Sequence, residues 1–214
     1  MKIKNSIRQF LIRSGFWYPL NLLRGTPAIL HWLISGCSGV APHPLKMMVV
    51  GSYLKLFSID DFVETGTYLG DTLGYIAKSG VRCTSVELSR ELYEAAGKRF
   101  NGYKNVSLVQ GNSGQVLPEL LKVINKPALF WLDGHYSSGI TATAETQTPI
   151  SAELQAILGH SIKRHVILID DARCFDGKND YPHLDDLLQV IREEGSYRAE
   201  VSADIIRLVP RAVP

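Results

Sequence analysis

Asp61-Phe62-Val63-Glu64-Thr65-Gly66-Thr67-Tyr68-Leu69-Gly70-Asp71-Thr72 is a short apolar run that stops at an acid and two glycines, then opens into Leu73-Gly74-Tyr75-Ile76-Ala77. The pattern predicts a strand that turns sharply into a helix. Gly66 supplies the positive φ of a tight turn, Gly70 lets a ligand approach bare backbone, and the helix offers free N–H groups at the positive end of its dipole. Such a loop is a nucleotide-type pocket.

Working outward, strand and helix alternate with short links, the signature of a parallel sheet covered by helices on both faces. Strands are predicted over 83–88, 106–109, 128–132 and 166–169, with helices over 90–100, 115–124 and 184–194. Thr148-Pro149 reads as an N-cap with proline at the first helical position of a helix that ends near Leu158. The tail from Tyr197 to Pro210 alternates around Ala203-Asp204 and predicts a final hairpin that brings an antiparallel strand into the sheet. The expected fold is therefore α/β: a doubly wound, mostly parallel seven-stranded sheet with an antiparallel C-terminal hairpin. A helical N-terminal extension over 1–45 precedes a main domain over 46–214.

A chain of 214 residues with 45% hydrophobic content suits one core and one domain. The net charge of +2 is unevenly spread, because residues 1–59 hold seven Lys or Arg and no Asp or Glu. Ile3, Ile7, Phe10 and Leu11 recur at helical spacing among Lys4, Arg8 and Arg13, which predicts a basic amphipathic helix. Pro19, Pro27, Pro42 and Pro44 are expected to cut the remainder of the N-terminal segment into short pieces before a helix resumes over 45–57. Three readings of residues 1–45 stay open: a flap on the main domain or on a second subunit of a homo-oligomer, a peripheral membrane-surface contact, and part of an acceptor lid. Cys37, Cys83 and Cys174 form no metal or disulfide pattern, and no run approaches the roughly 18 apolar residues of a membrane span. Leu33-Ile34-Ser35-Gly36-Cys37 looks like a lipoprotein processing site, but Arg24, Pro27 and His31 break the apolar stretch before it. A cytoplasmic protein, with membrane association as the alternative, is the expectation.

The glycine spacing is G-x-x-x-G, not the G-x-G-x-x-G of dinucleotide sites. Glu64-Thr-Gly66-Thr-Tyr68-Leu-Gly70-Asp-Thr72 resembles the first motif of class I S-adenosylmethionine (SAM) methyltransferases, most closely the cation-dependent, catechol O-methyltransferase-like branch. The resemblance spans about residues 46–210 and implies a Rossmann-like methyltransferase fold. It further implies that Glu64, Gly66, Tyr68, Gly70 and Thr72 hold the methionine end of SAM. Glu87, at the end of the second strand, would accept the ribose hydroxyls, and Asn112 and Ser113, in Gly111-Asn112-Ser113-Gly114, would contact adenine.

In that branch an aspartate at the end of the fourth strand and an acidic pair at the end of the fifth bind a divalent metal. Here those positions are Asp133, Asp170 and Asp171, an oxygen-only set that suits Mg2+. The alternative is that Asp133 only binds the SAM amino group while Asp170 and Asp171 cap a loop. The family's lysine base, three residues after the first metal aspartate, is replaced by Tyr136, so His135 is the nearest candidate base, metal ligand or substrate contact. The polar stretch Ser137 to Gln147, with Thr141, Thr143 and Thr146, is long enough to close over a substrate.

The activity implied is metal-assisted O-methylation of a hydroxyl on a sugar, a glycan or another small metabolite. A nucleic-acid methyltransferase would account for the basic first quarter but lacks the N/D-P-P-Y/F turn, so a nucleic-acid partner is not expected. A non-catalytic SAM-binding or membrane-surface protein would leave Asp133, Asp170 and Asp171 unexplained.

Overall fold

In the computed structural model, which describes residues 17–134 and 148–211, the chain runs through α1 (Trp17–Ile34), α2 (His43–Leu56), β1 (Asp61–Thr65), α3 (Asp71–Ala77), β2 (Arg82–Glu87), α4 (Arg90–Arg99) and β3 (Val106–Gln110). It continues through α5 (Ser113–Leu121), β4 (Leu129–Leu132), α6 (Ile150–Gly159), β5 (Val166–Ile169), a 3-10 turn (Ala172–Cys174), α7 (Leu184–Glu194), β6 (Tyr197–Ser202) and β7 (Ile205–Pro210). All seven strands join one sheet in the order β3-β2-β1-β4-β5-β7-β6. The first five are parallel, while β7 runs antiparallel to both β5 and β6.

Burial explains why the central strands read as unbroken apolar runs. Side chains alternate faces along a strand, and here both faces are covered. Leu129, Trp131, Val166 and Leu168 pack with Val50, Leu54, Leu73, Ile76 and Ala96 of α2, α3 and α4. Their neighbours Phe130, Leu132, Ile167 and Ile169 pack with Leu117, Leu121, Leu154, Ile157, Leu187 and Ile191 of α5, α6 and α7. Strand order reverses between β1 and β4, and the cleft of an open α/β sheet opens at such a switch point, beyond the carboxyl ends of the strands.

Three local expectations need correction. Pro19 and Pro27 do not cut the N-terminal segment, because both lie within the continuous helix α1. Pro19 falls in the first turn, where a backbone N–H has no helical acceptor in any case, and Pro27 removes one hydrogen bond without ending the helix. The helix at 113–121 starts earlier than expected because the Asn112 side chain caps it, accepting from the Gly114 N–H at 3.0 Å. It also ends earlier, in tight i to i−3 bonds from the N–H groups of Lys122, Val123 and Ile124. Pro149 is the cap of α6, not its first residue, and the Thr148 hydroxyl accepts from the Ile150 N–H at 3.4 Å.

The hairpin lies where the alternation placed it. Ala203 and Asp204 both take positive φ, 53° and 59°, the geometry of a two-residue hairpin turn. Among the described residues no helix is long and apolar enough to cross a membrane. The basic amphipathic pattern at residues 3–13, His135, Tyr136 and the stretch 137–147 lie outside the described residues.

Candidate functional site

The ladder continues one residue past the ends of the central strands. The Gly66 N–H donates to the Val86 carbonyl (2.9 Å), the Asp133 N–H to the Thr65 carbonyl (3.1 Å), and the Asp170 N–H to the Leu132 carbonyl (2.9 Å). This register sets Gly66, Asp133 and Asp170 side by side at the switch point. A cleft of about 240 Å3 opens there, lined among others by His43, Glu64, Tyr68, Gly70, Thr72 and Asp133.

Glu64 belongs to β1 and is 2% exposed. Its Oε2 accepts from the Ser85 hydroxyl at 2.6 Å, and the Ser85 and Thr67 hydroxyls are bonded at 2.7 Å. Among the described residues no cation pairs with this carboxyl. Burial, with Asp133 and Glu87 nearby, pushes its pKa up to about 8 against the pull of the Ser85 hydroxyl. A buried carboxyl on the wall of a cleft, with no ion-pair partner among the described residues, is the chemistry a positively charged ligand needs. SAM, with its ammonium and sulfonium, is such a ligand.

Glu87, at the end of β2, is held by the loop: its Oε2 accepts from the Tyr68 N–H at 2.8 Å and its Oε1 from the Ser89 N–H at 2.9 Å. Each carboxylate oxygen keeps a second lone pair, so the group can still accept from a diol. Tyr68 takes φ 47°. Its side chain stays exposed while its backbone serves Glu87.

The two glycines answer different steric demands. Gly66 has φ 83°, and a Cβ there would meet the Asp133 carbonyl oxygen at 2.4 Å, so only glycine lets β1 and β4 end this close together. Gly70 has φ 71°, but a Cβ would meet the Phe100 ring at 2.7 Å. The loop's packing against Phe100, just past α4, therefore requires glycine here, at a position that also lines the cleft. Arg99 completes that strap, pairing with Asp71 at 2.9 Å and donating to the Leu69 carbonyl.

Asn112, as the α5 cap, has its side-chain oxygen engaged. Ser113 is buried beside Glu153, whose Oε1 and the Ser113 Oγ both lie 3.3 Å from where a Cβ on Gly134 would stand. Sequence reasoning passed over Glu153, a residue of α6 that is 1% exposed. Its Oε1 and the Thr65 Oγ1 lack a partner of good hydrogen-bond geometry. Burial pushes the Glu153 pKa up to about 7, offset in part by the Ser113 and Thr65 hydroxyls and reinforced by Asp133.

Two residues of α2 were also missed. The His43 Nε2 lies 3.1 Å from the Thr72 Oγ1. The residue is exposed, yet the loss of hydration where the ring meets the protein lowers its pKa despite Asp71 and Asp133. Lys46 is 4% exposed. Its ammonium lies 2.5 Å from the Asp170 Oδ1, 3.0 Å from the Asp171 Oδ1 and 3.6 Å from the Asp204 Oδ2. A lysine within the apolar stretch Leu45-Lys46-Met47-Met48-Val49-Val50 was the available signal, since a buried ammonium demands partners.

Asp133, Asp170 and Asp171 do come together, each offering an oxygen within 4.8 Å of the others. Donor type and spacing suit a hard cation, but the surroundings do not. Lys46 already reaches two of the three carboxylates, and Arg173 Nη1 reaches Asp171 Oδ1 at 2.7 Å and also binds Asp204. These cations hold the Asp171 pKa below its ordinary value although burial opposes them. Asp170 moves the other way, to about 7, because burial, Asp133 and Asp171 together outweigh Lys46. The residues present therefore do not fit a divalent ion as they stand.

Among solved structures the chain resembles an O-methyltransferase from Bacillus cereus in complex with SAH, with a TM-score of 0.61, 15% identity, and 95% of this chain and 97% of that one covered. It also resembles the O-methyltransferase TomG from Streptomyces achromogenes, involved in tomaymycin synthesis, in complex with SAM (TM-score 0.59, 15% identity, 86% and 87% covered). A third is the 23S rRNA methyltransferase ErmE (TM-score 0.50, 17% identity, 82% and 71% covered). No family model and no curated protein matches the sequence. The fold is that of the SAM-dependent methyltransferases. A fold shared by enzymes acting on small molecules and on RNA leaves the acceptor to be argued from the site.

Proposed function

We propose that this chain is a SAM-dependent methyltransferase that methylates a hydroxyl oxygen of a sugar, a glycan or another small metabolite. The observation that carries the reading is Glu64: a buried carboxyl, without a cation among the described residues, on the wall of a cleft at the switch point of a methyltransferase fold. When bound there, SAM supplies an electrophilic methyl group whose sulfur leaves with the bonding electron pair.

The chain's own residues do the rest. Glu64 meets the positive charge of the ligand and Glu87 receives the ribose diol, both pre-set by hydrogen bonds from Ser85, Tyr68 and Ser89. Asp133 lines the same cleft as Glu64. His43, which lines the cleft with its Nε2 3.1 Å from the Thr72 Oγ1, can in its neutral form take the proton of an acceptor hydroxyl; His135 is the second candidate base. Holding acceptor and methyl donor in line converts a two-body encounter into a positioned displacement. The divalent cation implied by the resemblance has no step in this reading, because the carboxylates that would hold it are bound to Lys46 and Arg173.

The test is transfer of a labelled methyl group from SAM to a panel of glycans, glycosylated metabolites, phenols and RNA. Label in an alkali-stable ether on a small hydroxyl acceptor is the expected result. Label confined to RNA would move the chain to the nucleic-acid class.

A further inference from the structure

Four carboxylates, from Asp133, Asp170, Asp171 and Asp204, gather at the ends of β4 and β5 and at the β6–β7 turn. We propose that Lys46 is the resident cation of this cluster, an ammonium standing where a divalent ion is expected, so that the site works without bound metal. The proposal deepens the methyltransferase reading and rests on it for the meaning of the site, but its test does not depend on turnover.

One oxygen of Asp170 and one of Asp171 are already committed. Asp170 Oδ1 receives the Lys46 ammonium at 2.5 Å and the Asp171 N–H at 2.8 Å. Asp171 Oδ1 receives Lys46 at 3.0 Å and Arg173 at 2.7 Å, two cationic donors on one atom. A Mg2+ or Mn2+ ion on Asp170 Oδ1, at a bond of about 2.1 Å, would stand no farther than about 4.6 Å from the ammonium. Two positive centres so close in a buried pocket repel strongly.

Nor is Lys46 free to swing away. Met47 and Val50, next to it and one turn on, are buried in full, which fixes the helix. The lysine side chain itself is 5% exposed and has a third carboxylate, Asp204, 3.6 Å away. Asp204 also accepts from the Arg173 N–H at 3.1 Å, and its carbonyl accepts from the Ala172 N–H at 3.0 Å, which ties the loop after β5 to the hairpin turn. The lysine is thus a built part of the site: its first turn carries His43 into the cleft, and its ammonium anchors the strand-end acids.

Mn2+ electron paramagnetic resonance on the purified wild-type chain tests this directly, because bound Mn2+ loses the sharp six-line signal of the free ion. Wild type is expected to leave the signal unchanged. Lys46→Met is expected to take up one Mn2+, and its melting midpoint should rise by about 5–10 °C at a large excess of Mn2+ over Kd. Stoichiometric uptake by wild type that Asp170→Asn abolishes would overturn the proposal. Uptake that survives Asp170→Asn lies elsewhere and leaves it standing. A folded Lys46→Met chain that takes up no Mn2+ also overturns it; should that variant not fold, the wild-type measurement decides alone. SAM binding measured on the same wild-type sample separates this outcome from failure of the methyltransferase reading.

Discussion

Glu64 and Glu153 are two buried acids that both feel the charge of Asp133, and their surroundings assign them different roles. Glu64 lines the cleft and lacks a cation among the described residues, with its pKa near 8. At pH 7 it is mostly protonated in the free protein, and a cationic ligand favours its carboxylate, so binding SAM should release a proton. Calorimetry in two buffers of different ionisation enthalpy reads that release. Glu64→Gln should abolish it and weaken SAM by about 1.5–3 kcal/mol, the range for a hydrogen bond to a charged group. Equal proton release by the variant would move the titrating group elsewhere.

Glu153 is tested through stability. Its folded pKa, about 7, lies above the ordinary carboxyl value of 4.5. A raised pKa contributes stability that is fully present below about 4.5 and is lost as pH rises through 7. Glu64 and Asp170 shift in the same direction, so the wild type alone does not isolate the effect. The difference in melting midpoint between Glu153→Gln and wild type does, and it should favour the variant more at pH 8 than at pH 5. A difference that does not change with pH would mean Glu153 is not the titrating group. The strand-end acids Glu64, Glu87, Asp133, Asp170 and Asp171 were legible because each interrupts an apolar run. Glu153 and His43 were not, because each sits on a helix whose orientation toward the cleft depends on tertiary packing; Lys46 showed only as a lysine in an apolar stretch, with its partners fixed by the fold.

The loop after β1 shows how far element-level reading reaches. The strand, the turn and the helix were legible from one apolar run and two glycines, and Gly66 and Gly70 do take positive φ. What each glycine faces was not legible, since Phe100 lies thirty residues beyond Gly70 and meets it only in the folded chain. Gly66→Ala should cost at least about 2 kcal/mol, from left-handed strain plus collision with the backbone of Asp133. Gly80→Ala is the control, because Gly80 has φ 82° but nothing within 4 Å of the added Cβ. Urea unfolding should show the first substitution costing clearly more than the second. Equal costs would mean that the close approach of β1 and β4 does not require glycine.

Across the whole molecule, the alternation of short apolar strands with helices made the doubly wound sheet legible, and the alternating tail its antiparallel hairpin. Periodicity does not encode the order of strands in the sheet, which is set by how the strands and their covering helices pack. The charge asymmetry gains one physical meaning. Residues 1–59 contain no acid, so the buried ammonium of Lys46 finds every partner on the later strands and turns, and this ties α2 to the site. The central claim is that this sheet holds SAM at the end of β1, and isothermal titration of the wild-type chain with SAM, and separately with NADH, tests it most directly. One SAM per chain should bind, with a Kd between low micromolar and sub-millimolar, and NADH should give only heat of dilution; binding of NADH without SAM would contradict the account.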